Sequence, residues 1–584
     1  MDNYQRKIVG TKRRYVEVSA APGSGKTHTL LGRVQQLRET VPAEQIVVLS
    51  FSNESVGELR KRIKAMSTDC FTNVTVCTTH ALALKYTDQK SVLSEKRAIE
   101  LVGQAIRAVR RDCQKSVLWT FKSESVKQRR MAQLDELLTT NNIKRTHSLL
   151  TFTRASRQKV SESVTGQFKS LVPYVSVLTA IRNKYKVIKK DNAVVDFGDM
   201  LANSAKNING GVSIPFTHIL VDEFQDCSAA QTHLITVFAK LEGRSLMVFG
   251  DLYQGIYGFA GANHTPLSSV LDNVHQMSLP VSRRLTSQTA TLASAVAGLK
   301  GKKAIQTNRD GAMPILVCDK TQSEQTEKIV QHILKLINQG VEPSEIALLG
   351  RTKALLHPVE QLLLGHDVQT NRMGYTRHTK HALRVLKLVS IVYRCEKDNA
   401  KVLPERLIKA FPFIAGVDDE KWKKQATDLN KVARTPSLGG RYIKCAKIYL
   451  RLNDGIRADA ERRADVNRWE AKCNDFKTAK SMRLAIRAMR VEKVVTGTIH
   501  AAKGREWKHV LVVGATDGLL PIHFAKDEHS IEQERNMMYV AITRAIDTVR
   551  LYHAPSNYAR GRKTFEDVSR FLATPDVRKC FSVE

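Results

Sequence analysis

The chain has 584 residues, 42% of them hydrophobic and 26% charged, the balance of a globular protein with several domains and too apolar for a disordered one. Lys and Arg number 92 against 57 Asp and Glu, a formal net charge of +35. A surplus of that size favours a polyanionic partner, because each cation set against a phosphate releases condensed counterions. No apolar run reaches the roughly 18 residues of a membrane span, the start is polar and basic, and the nine cysteines form no Cys-x-x-Cys pair. The expectation is therefore a cytoplasmic protein with reduced thiols, without membrane insertion, structural zinc or a redox dithiol.

In chain order, short apolar runs at Tyr15–Ala20, Ile46–Phe51, Val74–Thr78, His218–Val221 and Ser245–Gly250 read as buried parallel strands, several followed by amphipathic helical stretches. A second set follows at Pro314–Cys318, Ile346–Gly350, Val494–Ile499, Val510–Gly514 and Val549–His553. The fold class predicted is α/β with two parallel-sheet cores. Each core is interrupted. Between Ala81 and Asp196 the chain turns basic, polar and helical, with patterns at Ser94–Arg111 and Lys169–Lys189, and Lys90–Lys190 carries 22 Lys and Arg against 7 Asp and Glu. From about Gly374 to Arg490 it again reads as charged helices, clearest at Asp454–Ala479. The boundaries expected are 1–85 with 191–275 for the first core, 86–190 for its basic helical insertion, 276–373 with 491–584 for the second core, and 374–490 for a second, reduced helical insertion.

The first strand runs into Ala20-Ala21-Pro22-Gly23-Ser24-Gly25-Lys26-Thr27 and then a helix. Glycines there let backbone N–H groups approach phosphate oxygens, and the helix N-terminus favours an anion. Lys26 reaches the β- and γ-phosphates and Thr27 can ligate Mg²⁺. A chance Gly-Ser-Gly-Lys-Thr turn is the bland alternative. It shrinks at Ile219-Leu220-Val221-Asp222-Glu223-Phe224-Gln225-Asp226, where an apolar strand delivers two adjacent acids at its end. Asp222 suits Mg²⁺ held through water, and Glu223 suits the polarising of an attacking water. ATP and Mg²⁺ are the ligands expected.

Asp222-Glu223-Phe224-Gln225-Asp226 resembles the Asp-Glu-x-Gln-Asp motif of superfamily 1A DNA helicases of the UvrD/Rep/PcrA type. The run from Gly250 to Ala262 resembles that family's third motif, Thr498 to Trp507 its fifth and Tyr539 to Ala545 its sixth, in the family's order. The resemblance implies two RecA-like P-loop domains with ATP in the cleft between them, single-stranded nucleic acid across their top, and insertions of the kinds called 1B and 2B. It implies that Ala21 to Thr27 cradle the phosphates, that Gln5 reads the adenine and that Glu506 lies near the ribose. Gln254 matches the sensor of the γ-phosphate, and Arg284 and Arg544, both contributed by the second core, match the arginines that stabilise the transferring phosphoryl group. Arg283 stands where the family has a tyrosine that stacks on adenine. Phe51, Asn53, Thr79, His80, Tyr257, Phe259 and His500 fall where the family contacts single-stranded DNA.

What the resemblance implies as activity is an ATP-dependent helicase that moves along single-stranded DNA with 3′→5′ polarity and couples hydrolysis to unwinding. Its partners are then single-stranded DNA and single-strand/double-strand junctions, with no membrane, in a nucleoid of bacterial or phage context. One alternative uses the same motor mainly to displace proteins from DNA. Another is a nucleic-acid-binding scaffold with a relic ATP site, against which the presence of Lys26, Thr27, Asp222, Glu223, Gln254, Arg284 and Arg544 speaks.

Overall fold

The computed structural model describes residues 1–66, 71–88, 91–115, 123–262, 265–373, 493–558, 563–565 and 567–584, with scattered residues between 385 and 448. Most of the expected second insertion, including its helical pattern at Asp454–Ala479, lies outside the described residues; a helix at Asp419–Val432 lies within them. The chain divides into two compact units. The first holds Met1–Gly311 and Ala525–Thr543, the second Ala312–Phe524 and Arg544–Glu584.

The first unit is built on strands β1 (Tyr15–Ala20), β2 (Ile46–Ser50), β3 (Thr75–Thr78), β4 (His218–Val221), β5 (Ser245–Gly250) and β6 (His275–Leu279). They form one parallel sheet in the order β3-β2-β4-β5-β1-β6. In β2 every residue is buried: Val47 and Leu49 join the core on one face, Ile46 and Val48 the core on the other. A strand covered on both faces reads as an unbroken apolar run. The sixth strand, His275-Gln276-Met277-Ser278-Leu279, is mostly exposed at the sheet edge beside β1, and a polar edge strand leaves no such run. It carries the chain past the boundary expected at 275, and the first unit continues to Gly311.

Among the described residues, the insertion in this unit packs helices Glu95–Gln114, Glu124–Leu137, Thr140–Ser156, Val160–Gly166 and Val175–Asp191 around a core of its own. Leu101, Val102, Ala105, Ile106, Val109 and Cys113 form one buried stripe at helical spacing. A bridge between Val92 and Val195, with Leu93 N donating to Val195 O at 2.9 Å, closes its entry and exit. Lys189, 5% exposed, contacts Asp196 and Asp199 at the start of the returning helix Phe197–Asn209. Removing one partner of a buried pair costs about 3–5 kcal/mol, so this contact pins the insertion to its core.

The second unit has β7 (Ile315–Cys318), β8 (Ile346–Gly350), β9 (Thr370–Arg372), β10 (Val494–Thr498), β11 (Trp507–Val513) and β12 (Ala545–His553), a hairpin of β13 (Ser556–Tyr558) and β14 (Lys563–Phe565), and β15 (Ser582–Val583). Its parallel sheet runs β15-β7-β12-β11-β8-β10-β9. Among the described residues no helix is long and apolar enough to cross a membrane.

Candidate functional site

At the end of β1, neighbouring backbone and side chains hold the turn in place. Ala21 N donates to Leu279 O at 2.9 Å, Ser282 Oγ to Pro22 O at 2.7 Å and Arg283 N to Gly23 O at 3.0 Å. Gly23 and Gly25 have φ of +72° and +80°, and a Cβ on Gly23 would lie 2.4 Å from Arg284 Cβ, so only glycine fits there. Helix Lys26–Arg38 begins with Gly25 as its N-cap and with no side-chain cap, which leaves its first N–H groups without a side-chain acceptor. Ser24 Oγ is buried with no hydrogen-bond partner among the described residues. A phosphate group supplies acceptors to both, and the turn fits one. Thr27 is half-buried beside Lys26 at the helix start.

Across from this turn, β4 ends in the acid pair. Lys26 Nζ lies 2.6 Å from Glu223 Oε2 and 3.8 Å from Asp222 Oδ1. Burial alone would depress the ammonium, but the two carboxylates outweigh it and hold the Lys26 pKa above the usual lysine value. Burial, opposed by Lys26, pushes the Asp222 carboxyl up to about 6. Glu223 sits at φ +54°, a left-handed conformation that costs a non-glycine residue about 1–2 kcal/mol, and Asp222 Oδ1 accepts its N–H at 3.0 Å. Among the described residues no group of three or more His, Cys, Asp or Glu is arranged to hold a metal ion by itself. Asp222 and Thr27 are oxygen donors of the kind Mg²⁺ takes alongside phosphate oxygens, which needs only one or two carboxylates.

A hydrogen-bonded run leads away from Glu223. Gln225 Nε2 donates to Glu223 Oε2 (2.7 Å), Asp251 N to Gln225 Oε1 (3.1 Å) and Gln254 Nε2 to Asp251 Oδ2 (2.8 Å). Tyr539 OH lies 3.4 Å from the same Asp251 oxygen. A Cβ on Gly250 would stand 2.9 Å from Gln225 Oε1, so the bare glycine admits that approach. Sequence reasoning assigns roles to Glu223 and Gln254 and none to the two residues that join them. The available signal is that each is a polar residue just past a buried strand end.

Gln5 is fully buried. It completes a capping box with Asp2 at the start of helix Asn3–Val9, its Nε2 donates to Ser24 O at 3.1 Å, and its Oε1 accepts from Arg283 at 2.9 Å. Arg283 also meets Asp2 Oδ2 at 3.0 Å. Arg284 donates to Thr543 O at 3.3 Å. The resemblance puts Arg284 in the second core, whereas it stands in the first unit, because β6 holds this segment against β1 and Ser282 and Arg283 tie it to the turn. His500, Glu506 and Arg544 belong to the second unit. There Arg544 is 1% exposed and donates to Arg505 O at 3.1 Å, and Glu506 is exposed. His500 lies on the short helix Ile499–Ala502, capped by Thr498. Burial, then Arg351 and Lys503, pushes its imidazole down to about 4.

Aromatic faces gather in the first unit. Phe51 and Tyr257 stack at 5.3 Å and 21°, and Phe259, 54% exposed, meets Tyr257 at 6.1 Å and 61°. His80 meets Phe197 edge-on at 5.2 Å. Sequence reasoning misses Phe197, which is 56% exposed. The signal is an apolar residue at the start of a helix whose buried stripe is Met200, Leu201, Ser204, Ala205 and Ile208. Asn53 is exposed in the first turn of helix Asn53–Ala65. Thr79, expected to touch a nucleic-acid strand, is 1% exposed and offers it no surface, since it is packed at the start of helix Thr79–Lys85.

Residues 1–275 match the UvrD/REP helicase N-terminal domain, and residues 458–553 the UvrD-like helicase C-terminal domain. The chain is 25% identical to "ATP-dependent DNA helicase UvrD2" of Mycobacterium tuberculosis (strain ATCC 25618 / H37Rv), over 98% of this chain and 81% of that one. It is 24% identical to "ATP-dependent DNA helicase PcrA" of Leuconostoc citreum, covering 98% and 84%. With "DNA helicase II" of Escherichia coli (strain K12) the identity is 22%, covering 98% and 87%.

Proposed function

The chain belongs to the UvrD-like helicases, and on that premise we propose that it is an ATP-dependent DNA helicase moving 3′→5′ along single-stranded DNA and opening duplex at single-strand/double-strand junctions. The observation that carries the reading is Lys26 held 2.6 Å from Glu223 beside a glycine turn whose Ser24 hydroxyl is buried without a partner. Phosphate oxygens arriving at that turn compete for Lys26, which frees Glu223 to polarise the attacking water. Thr27 and Asp222 would hold Mg²⁺, whose charge, when bound, neutralises the phosphate oxygens. Gln5 and Arg283, already in contact, receive the base, with the guanidinium plane stacking in place of a ring. Glu506 serves the ribose, and Arg284 and Arg544 neutralise charge that develops on the phosphoryl group.

The run Glu223–Gln225–Asp251–Gln254 supports a sensing role for Gln254, because a shift of Glu223 alters the hydrogen bonds that position it. Phe51, Tyr257 and Phe259, with His80 and Phe197 and with Asn53 and His500 as further contacts, take the strand. Stacking of a base on an aromatic face contributes about 1–3 kcal/mol and reads no sequence, which suits movement along any strand. The net charge of +35 favours such a polyanion, met in the cytoplasm.

The test is ATP turnover with single-stranded DNA, duplex DNA and RNA, followed by unwinding of duplexes tailed at either end. Stimulation by single-stranded DNA and opening of the 3′-tailed substrate are expected. Phe259→Ala should weaken binding of single-stranded DNA by about 1–3 kcal/mol. Absence of DNA-stimulated turnover would return the chain to the scaffold reading, and preference for the 5′ tail would reverse the polarity.

A further inference from the structure

A second concentration of charge in the first unit takes no part in the glycine turn. Where helix Thr140–Ser156 ends near helix Val175–Asp191 and the start of helix Phe197–Asn209, a cavity of about 250 Å³ is lined by Arg154, Arg157, Arg182, Lys186 and Lys189. Two carboxylates, Asp196 and Asp199, share the wall, and the buried Lys189 contacts both. Arg154 takes a further contact with Asp199 at 3.3 Å. Arg157, Arg182 and Lys186 make no ion pair among the described residues, and the Nε atoms of Arg154 and Arg182 are buried without a hydrogen-bond partner. Partial burial, then the guanidinium groups of Arg182 and Arg154, push the Lys186 ammonium below the usual lysine value. Cations gathered in this way repel one another, and a buried N–H without an acceptor is unfavourable. One tetrahedral oxyanion relieves both, since guanidinium forks match its oxygens.

Neighbours of the cavity lining lead toward both groups of aromatic rings. Arg154 packs on Gly198, where a Cβ would lie 2.1 Å from Arg154 Cγ, and Gly198 follows Phe197, whose ring meets His80. The next residue of the same helix, Ala155, backs the turn that carries Tyr257 and Phe259, its Cβ 2.8 Å from where a Gly261 Cβ would be. We propose that this cavity is a phosphate seat, in which Arg154, Arg157, Arg182 and Lys186 hold a backbone phosphate of the single strand that lies across those aromatic faces. The proposal rests on the single-stranded DNA reading above and extends the strand's path onto the basic insertion. Free inorganic phosphate offers the same chemistry from another source.

The experiment measures binding of a labelled oligo-dT to the full chain across a salt series without nucleotide, for wild type, Lys186→Gln, Arg157→Gln with Lys186→Gln, and Lys186→Arg. The expected result is a several-fold loss of affinity in the glutamine variants and a slope of log affinity against log salt shallower by about 0.7 for each phosphate that is no longer neutralised. Lys186→Arg should keep both. Melting temperatures monitor the fold; if the double variant melts early, the single change at the exposed Lys186 carries the test. Glutamine variants with wild-type affinity and salt slope overturn the seat. If Phe259→Ala weakens binding in the same assay while they do not, the strand reading survives and only the seat falls; if wild type binds no oligo-dT, both fall. A parallel arm adds inorganic phosphate and reads melting temperature. Stabilisation that Lys186→Gln abolishes, with oligo-dT binding unaltered, would make the occupant a free anion and overturn the backbone assignment.

Discussion

In the first unit β1 runs into a turn of two left-handed glycines, and the helix that follows starts with no side-chain cap. In the second unit β7 also runs into a helix, Gln322–Asn338, but the turn reads Asp319-Lys320-Thr321 and the Thr321 side chain caps the helix. Thr321 accepts from Glu324 N, Lys320 N donates to Glu324 Oε2 at 3.1 Å, and the buried Asp319 pairs with Lys328 at 2.5 Å. Two parallel-sheet cores thus place a strand, a turn and a helix in the same order, and only one leaves donors over for a ligand. The lesson is that a phosphate site is made by withholding caps as much as by supplying a lysine.

The strongest way to break that contrast is to remove the charged pair from one turn and the lysine from the other. Lys26→Ala or Glu223→Gln should lower DNA-stimulated ATP turnover by on the order of 10²-fold or more. Lys320→Ala, an exposed side chain in the second turn, should leave it within about twofold, as expected of an ordinary surface substitution. Steady-state hydrolysis at saturating single-stranded DNA decides this. Turnover above a tenth of wild type in Lys26→Ala would mean that the site lies elsewhere.

Glycines sharpen the same comparison with a smaller effect. Gly25 and Gly340 have φ of +80° and +86°; a Cβ on Gly25 would lie 2.7 Å from Gln5 Nε2, whereas nothing stands within 4 Å at Gly340. Gly340→Ala should cost about 1–2 kcal/mol of stability from backbone strain alone and leave nucleotide affinity unchanged. Gly25→Ala adds displacement of Gln5 and of the turn, and should weaken nucleotide binding by about tenfold or more. Equal nucleotide affinities in the two variants would show that the packing of Gln5 against the turn does not matter.

How much of this is legible in the chain follows from where each signal resides. β2 and β5 can be read because strands buried on both faces are continuous apolar runs. β6 cannot, because an edge strand such as His275-Gln276-Met277-Ser278-Leu279 keeps polar residues exposed, and so the boundary expected at 275 falls where that strand begins. The glycine turn and the acid pair are local patterns with local chemistry. The hydrogen bond from Asp251 to Gln225 spans 26 positions, and the contact of Arg283 with Gln5 spans 278; no local pattern announces either. The cationic cavity shows in sequence only as an excess of Lys and Arg between Lys90 and Lys190. Its particular grouping depends on Thr140–Ser156 and Val175–Asp191 packing in one insertion.

The smallest effect contrasts the two units by the sign of their proton linkage. Burial, then Arg550, His509 and Lys335, pushes His332 of the second unit down from 6.5 to about 4, and burial pushes Asp251 of the first up from 3.8 to about 6. A base with a depressed folded pKa contributes stability that is fully present above 6.5 and is lost as pH falls toward 4. An acid with a raised folded pKa keeps a proton that the unfolded chain releases, so its contribution is present below 3.8 and is lost as pH rises through about 6. The melting temperature of His332→Gln minus that of wild type should therefore climb as pH drops from 6.5 to 4, while the same difference for Asp251→Asn should climb as pH rises from 4 to 6. Each change should amount to roughly a few degrees. Calorimetry across that range reads both, and because only differences from wild type are compared, the other titrating groups cancel. Curves parallel to wild type for His332→Gln would place its imidazole in water, and parallel curves for Asp251→Asn would undo the buried carboxylate that links Gln225 to Gln254.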